Sequence, residues 1–395
     1  MVGLRPERFV AGGEALAHDD EGRVVFVRGG LPGETVLADE TERKGDWARA
    51  VVTQVEQAAA DRVVPPCPHR LNGCGGCDWQ HVAPASQLGH KLGIVVDALR
   101  RTARLPDAHV VEGRSVPAWA YRTTVRVVGD GRRRPAYRVE RSNHTEPASG
   151  CLIAHPRLVE LIDAIAVDPE LEVTLRVSAA TGEATALWDT RAGHVDGLAP
   201  HVGVGPASRL RERVGPHELV VSAGSFFQSG PAAAGLLVEA VERAAPELGA
   251  ARRVLDAYAG VGLFAVAAVP PGVEVMTVES SPLAVADCKL NLAGRTGRIE
   301  KGEVARWRPR RDQRFDVVIA DPARTGLGRP GTAALVAAKA PVLVLVSCDP
   351  VALARDARLL IDAGYAHQRS EVLDLFPQTH HVEVVTRFVL PESAR

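Results

Sequence analysis

The chain has no stretch approaching the ~18 consecutive apolar residues of a membrane-spanning helix. Its opening residues, MVGLRPERFVAGG, lack the apolar run and small-residue cleavage site of a secretory signal. A membrane partner is therefore not expected, and a cytoplasmic location is. Net charge is almost absent: 47 Lys and Arg stand against 48 Asp and Glu, leaving −1. The chain as a whole does not advertise a polyanionic partner. Internal repeats and low-complexity tails are lacking as well. Cysteine is sparse, six in 395 residues, and in a cytosolic protein that usage points to metal binding or catalysis before disulfides.

What is present is an ordinary globular composition, 46% apolar, in a length that suggests two to four domains. Positive charge is scarce in sum but clustered. Arg132, Arg133, Arg134, Arg138 and Arg141 form one group, and Arg306, Arg308, Arg310, Arg311 and Arg314 another. Local patches attract phosphate whatever the net charge. Solvated faces would read the same way, and the preference for Arg over Lys throughout suggests a GC-rich genome, which discounts both groups.

Three regions succeed one another. Residues 1–60 combine short β-branched runs (GRVVFVRG, then TVLADETERKGDWARAVVTQVEQ) with repeated glycines, the pattern of a small β-barrel. Such barrels commonly grip single-stranded nucleic acid, although a barrel with another partner fits equally. Residues 61–230 open on a Pro- and Gly-rich loop, DRVVPPCPHRLNGCGGCDW, followed by a helix candidate, SQLGHKLGIVVDALRRTARL. Strands such as RTTVRVVGD and LEVTLRVSA then predict an antiparallel α+β arrangement. Residues 231–395 alternate apolar strands (VLDAY, VEVMTVE, FDVVIAD, VLVLVSC) with helical stretches, which predicts an α/β parallel sheet wrapped by helices on both faces.

In this last region VLDAYAGVGLFAVAAV reads as strand, Gly-rich turn and helix. Gly260 and Gly262 would let backbone approach a ligand at a helix N-terminus. Ala265 stands where a dinucleotide fold often has its third glycine. The next strand ends in Glu279, about twenty residues on, where a carboxylate takes ribose hydroxyls. With Asp256 the pattern fits an adenosine ligand carrying an amino-acid tail, such as S-adenosylmethionine, and a nucleotide-dependent dehydrogenase is the alternative.

Cys348 ends the strand VLVLVSC and so lies beyond a carboxyl end, where ligands of open α/β sheets gather. Taken alone it would more often be a buried structural cysteine. Asp321, in DPARTGLG, ends the preceding strand, and Glu383 lies in FPQTHHVEVVTRF. A thiolate, a carboxylate base and a methyl donor suit one reaction. Carbon 5 of uracil is a poor nucleophile until a thiolate adds to carbon 6. The proton on carbon 5 must then leave before the thiolate is expelled. Asp321 is expected to orient the base, with Arg324 compensating charge.

Cys67, Cys74 and Cys77 have C-x6-C-x2-C spacing, and Cys151 follows some seventy residues later. Four thiolates suit a 4Fe–4S cluster or a structural zinc. The tighter C-x3-C-x2-C spacing of radical S-adenosylmethionine chemistry is missing. Cys288, in ADCKLNLAG, reads as inert packing.

The motifs GSFFQ (224–228), DAYAGVG (256–262), VES (278–280), DPARTG (321–326), VSCDP (346–350) and HHVE (380–383) occur in an order that resembles the bacterial RNA uracil-C5-methyltransferases. The resemblance runs along nearly the whole chain. It implies a Rossmann-like class I methyltransferase domain over 231–395, an α+β central domain with an iron–sulfur loop over 61–230, and a TRAM-like, OB-like RNA-binding barrel over 1–60. It implies that Gln228, Asp256, Tyr258, Gly260, Gly262, Glu279 and Asp321 line the S-adenosylmethionine and target pocket. Cys348 is implied to be the nucleophile and Glu383 the proton-abstracting base. The stretch GCGGC leading into Asp78-Trp79-Gln80 is similar to the ribosomal-RNA branch, implying a structural 4Fe–4S cluster on Cys67, Cys74, Cys77 and Cys151, and 23S rRNA over transfer RNA as partner. Three positions depart from the family pattern: Ala323 for a second proline, Asp349 for asparagine, and Ser229-Gly230 after FFQ. They bear on positioning and target choice. A non-catalytic RNA-binding assembly factor is a second reading, opposed by the intact Cys348 and Glu383. Methylation of a base nitrogen is a third, opposed by Arg324 where an aromatic is needed.

Overall fold

The computed structural model describes residues 1–139 and 142–392; Arg141, of the first arginine group, lies outside them. Residues 2–57 form a six-stranded sheet in the order Val2–Leu4, Thr35–Arg43, Trp47–Gln57, Val24–Arg28, Ala15–His18, Arg8–Phe9. Its strands alternate in burial, as in Val24–Arg28, so that Leu4, Val25, Val27, Val36 and Ala50 share a small core.

A second six-stranded sheet runs Thr145–Pro147, Pro135–Arg138, Thr124–Gly129, Glu172–Val177, Ala184–Leu187, Gly203–Val204, antiparallel except at the last pair. The helix Pro156–Ala164 covers it with Leu158, Leu161 and Ile162. The hairpin Arg209–Val214 and His217–Ser222 follows and delivers the GSFFQ stretch.

The third sheet has eight strands, numbered here in chain order: β1 (Val110–Ser115), β2 (Arg253–Ala257), β3 (Glu274–Glu279), β4 (Gly297–Lys301), β5 (Val317–Ala320), β6 (Val342–Ser347), β7 (Ala366–Asp374) and β8 (Glu383–Val389). Their spatial order is β4-β3-β2-β5-β6-β8-β7-β1. Strands β2, β3, β5 and β6 are near-continuous apolar runs because both faces are covered, whereas β4 (GRIEK) is an exposed edge. Val254, Val275, Ile319 and Val344 enter one core, and Leu255, Met276, Val318 and Leu345 the other. Each such side chain, fully buried, contributes ~1.5–3 kcal/mol. The chain leaves β2 for β3 on one side and later for β5 on the other, so the crevice where strand order reverses opens between β2 and β5.

Two features differ from a purely parallel sheet. Strand β8 inserts antiparallel between β6 and β7. Strand β1, from the 61–230 region, closes the edge parallel to β7, and the helix Pro84–Arg101 packs on that edge. No helix among the described residues is long and apolar enough to cross a membrane.

The first arginine group is largely neutralised in place. Arg133 meets Asp168 at 2.9 Å and Asp196 at 2.6 Å, Arg134 meets Asp130 at 2.8 Å, and Arg138 meets Glu170 at 3.1 Å. In the second group, Arg306 pairs with Glu303, while Arg308 and Arg314 donate to nearby carbonyls. The first run is largely tied into local ion pairs, while the second stays exposed and charged.

Candidate active site

Strand β6 ends at Ser347 and Cys348 follows at once. The Asp349 carboxylate accepts from the N–H groups of Val351 (3.0 Å) and Ala352 (2.8 Å), and with Pro350 it starts the helix Pro350–Asp362. Because Ser347 pairs with Val384 in the antiparallel register, Cys348 is set beside Glu383, the first residue of β8. Asp321 follows β5, the parallel neighbour of β6, at the same end of the sheet.

The three acids perturb one another. Burial and then the charge of Asp321 push the Glu383 carboxyl well above its ordinary range. Burial raises Asp321 to about 7. The Cys348 thiol is pushed up to about 12 by burial, then by Glu383 and Asp321, with Arg324 opposing. Arg324 offsets part of this negative charge, and its guanidinium stands 3.4 Å from His381 Nδ1 and 3.9 Å from Asp349 Oδ2. An asparagine at 349 could cap the helix but would offer Arg324 no charge.

Across the crevice, β2 ends in Asp256 and Ala257, and the chain turns through Tyr258 (φ 63°), Gly260 (φ 55°) and Gly262 (φ 90°) into the helix Leu263–Ala267. A Cβ on Gly260 would meet no protein atom within 4 Å, so that side of the turn is open for a ligand. A Cβ on Gly262 would lie 3.1 Å from Cys288 Sγ, which makes Cys288 a packing residue beneath the turn. Asp256 Oδ2 accepts from Ala265 N at 3.0 Å while the buried Oδ1 has no protein partner. Burial, with the charges of Asp321 and Glu279, raises its pKa to about 8. Glu279 accepts from Gly260 N (2.9 Å) and Ser281 N (2.7 Å) and so braces the turn.

Gln228 is buried at the end of the GSFFQ loop, and residues that sequence reasoning missed hold that loop. Arg176 donates to the carbonyls of Ser222 (3.0 Å) and Ser225 (2.8 Å). Asp287 accepts from Ser222 N (2.8 Å) and Ser225 Oγ (2.7 Å). Asn291 Nδ2 donates to Val220 O and Val261 O, joining the hairpin to the donor turn. All three work through tertiary contacts and leave no local motif.

The four remaining cysteines, Cys67, Cys74, Cys77 and Cys151, line one cavity of about 200 Å³ together with Arg70, Arg122, Arg126 and Tyr137. Burial, reinforced by neighbouring sulfurs, raises the thiols of Cys74 and Cys77. Among the described residues no group of three or more His, Cys, Asp or Glu is gathered tightly enough to be assigned as holding a metal ion.

No protein-family model matches the chain. Individual relatives do. An uncharacterized RNA methyltransferase of Streptomyces avermitilis is 36% identical, over 95% of this chain and 94% of its own. The 23S rRNA (uracil(1939)-C(5))-methyltransferase RlmD of Halomonas elongata is 31% identical, over 97% and 88%. The chain belongs to the RNA uracil-C5-methyltransferase family. These are S-adenosylmethionine-dependent enzymes, and the methyltransferase shares the fold of a solved member. The tRNA (uracil-54, C5)-methyltransferase of Pyrococcus abyssi, in complex with S-adenosyl-L-homocysteine, superposes over 98% of this chain and 99% of its own with TM-score 0.72 at 23% identity.

Proposed function

We propose that this methyltransferase methylates carbon 5 of a uridine in 23S rRNA, with Cys348 as covalent nucleophile and Glu383 as base. The observation that carries the reading is the register of β6 and β8, which sets a thiol and a buried carboxyl side by side at the carboxyl end of the sheet. S-adenosylmethionine, when bound, supplies the methyl group and leaves as S-adenosylhomocysteine. Gly260 and Gly262 would give its backbone approach, Asp256 and Glu279 would meet its adenosine and amino-acid portions, Tyr258 would contribute at the turn while its ring packs near Gly331, and Gln228 and Asp321 would line the space toward the uracil.

The Cys348 thiol and the Glu383 carboxyl give up their protons to solvent, and the thiolate adds to carbon 6, forming a C–S bond and placing the displaced electron pair on carbon 5. That pair forms the new carbon–methyl bond. Glu383 then takes the proton from carbon 5, and the released pair restores the ring double bond and expels Cys348. A raised carboxyl pKa is what a base near neutrality needs.

Residues 1–60 are assigned as the TRAM-like barrel, 61–230 as the central domain and 231–395 as the catalytic domain, with β1 lent across that boundary. Cys67, Cys74, Cys77 and Cys151 would hold a 4Fe–4S cluster. Their cavity is lined by sulfur donors and three arginines with no carboxylate, which suits an anionic, thiolate-ligated cluster better than a hard cation. Its contribution would be structural. Among possible RNA targets, 23S rRNA is favoured by the relatives named for it and by the cysteine quartet.

The test is methyl incorporation into unmodified 23S rRNA and transfer RNA. Wild type is expected to label the 23S rRNA, Cys348→Ala to fall to background, and Glu383→Gln to lose about 10²–10⁴-fold in turnover while accumulating a denaturant-resistant enzyme–RNA adduct. Full activity of Cys348→Ala would refute the nucleophile, and labelling of transfer RNA alone would move the target.

A further inference from the structure

Residues 375–382 carry the chain from the end of β7 to Glu383 without forming a strand or helix. Asp78 and Trp79, directly after Cys77, and Gln87 and Lys91 of the helix Pro84–Arg101 all bond to this linker, beside Tyr121 Oη to Pro377 O (3.1 Å) and Ser229 Oγ to Leu375 O (2.9 Å). Trp79 N donates to Gln378 O at 2.9 Å. Gln378 N donates to Gln87 Oε1 at 2.7 Å, and Lys91 Nζ to Phe376 O at 3.2 Å. Gln378 itself sits at φ 69°, a left-handed conformation that a non-glycine residue keeps only when its surroundings hold it.

The contact nearest Glu383 is Asp78 with His380. One carboxylate oxygen meets His380 Nδ1 at 2.6 Å and the other accepts from His380 N at 3.2 Å. Asp78 therefore grips both the ring and the backbone three residues before the base. The N-terminal sheet closes the contact from outside: a Cβ on Gly13 would lie 2.4 Å from His380 Cβ and 3.0 Å from Asp78 Oδ2. At its other end the stretch is anchored in the cysteine loop, where Cys67 N donates to Gln80 Oε1 at 3.3 Å.

We propose that Asp78 is a positioning residue for the base: by clamping His380 it fixes the linker that ends in Glu383 and couples that linker to the four-cysteine loop. The inference rests on Glu383 being the base. A misplacement of about 1 Å costs on the order of 10²-fold, and only the last step, loss of the carbon-5 proton, would feel it. Addition of Cys348 and methyl transfer precede that step and leave a methylated covalent adduct.

Steady-state kinetics and denaturing gels on natural RNA test the proposal. Asp78→Ala is expected to lower kcat by about 10- to 100-fold, to leave KM for RNA within about twofold, and to accumulate the methylated adduct. Asp78→Asn, which keeps an acceptor for His380, is expected to restore most of kcat. Gly13→Ala presses on the same contact from the N-terminal sheet with the cysteine loop unaltered and is expected to accumulate the adduct too. It serves as the test should Asp78→Ala fail to fold. Wild-type kcat in Asp78→Ala, a raised KM at unchanged kcat, or loss of kcat without adduct in either variant would overturn the proposal. RNA containing 5-fluorouridine, which has no removable carbon-5 proton, separates the two layers. Wild type that traps no adduct on it refutes the reading of Cys348 itself. Wild type that traps, beside an Asp78→Ala variant that accumulates nothing on natural RNA, refutes this inference alone.

Discussion

Asp321, Glu383 and Cys348 are three acids in one crevice, and their proximity sets both the chemistry and its cost. Burial, and then the charge of Asp321, keeps a proton on Glu383 well above its ordinary range, and burial with the charges of Glu383 and Asp321 keeps Cys348 a thiol in the free enzyme. Replacing Asp321 with Asn removes a charge that adds to burial in raising both. The rate of Cys348 alkylation by iodoacetamide is then expected to rise at lower pH than in wild type. An unmoved profile would show that burial and Glu383 set the thiol without Asp321. Stability should move as well. Asp321 titrates near 7 when folded and near 3.9 when unfolded, so between those values the native state binds the extra proton. The group's contribution therefore becomes less favourable as pH rises from about 4 to about 7 and stays so above it. Asp321→Asn is expected to melt a few degrees above wild type at pH 8, with the gain shrinking as pH falls toward 4. Equal melting temperatures at pH 8 would contradict this.

At the scale of elements, the helix Pro84–Arg101 and the end of β7 are joined by a buried ion pair. Lys91 Nζ lies 2.6 Å from Asp374 Oδ1, and neither side chain reaches solvent. Burial drives Lys91 down and Asp374 up, each opposed by its partner. Lys91→Met leaves a buried carboxyl unpaired and is expected to cost about 3–5 kcal/mol in denaturant unfolding. The double variant Lys91→Met/Asp374→Leu should recover much of that loss, and a cost below about 1 kcal/mol for the single change would show the pair to be dispensable. Strands β2, β3, β5 and β6 were legible in the sequence because burial on both faces makes them continuous apolar runs. Strand β1, VVEGRS, was not: it is a half-exposed edge with a glycine, and it exists through its pairing with β7, about 260 residues away. The antiparallel entry of β8 was equally silent, since strand direction leaves no mark on local pattern.

All three regions meet at the proposed active site. The N-terminal sheet brings Gly13, the cysteine loop brings Asp78, and the catalytic sheet brings His380 and Glu383. Cys348, Glu383 and the donor turn could be read from motifs at strand ends because strand ends are where an α/β sheet places chemistry. The Asp78–His380 contact spans 302 positions and Arg176, Asp287 and Asn291 act at a distance too, so no local spacing reveals them. The four cysteines give a whole-molecule prediction. Anaerobically purified protein is expected to be brown, with iron and sulfide at four each per chain, and removal of the metal should lower the melting temperature. A colourless preparation rich in zinc would assign the quartet to a single ion instead.

The covalent bond between Cys348 and the uridine bears most directly on the account. Peptide mapping by mass spectrometry of the adduct that Glu383→Gln accumulates should find the methylated nucleotide on the peptide containing Cys348. A nucleotide attached to any other cysteine, or no attachment where Cys348 is intact and the RNA is methylated, would contradict it.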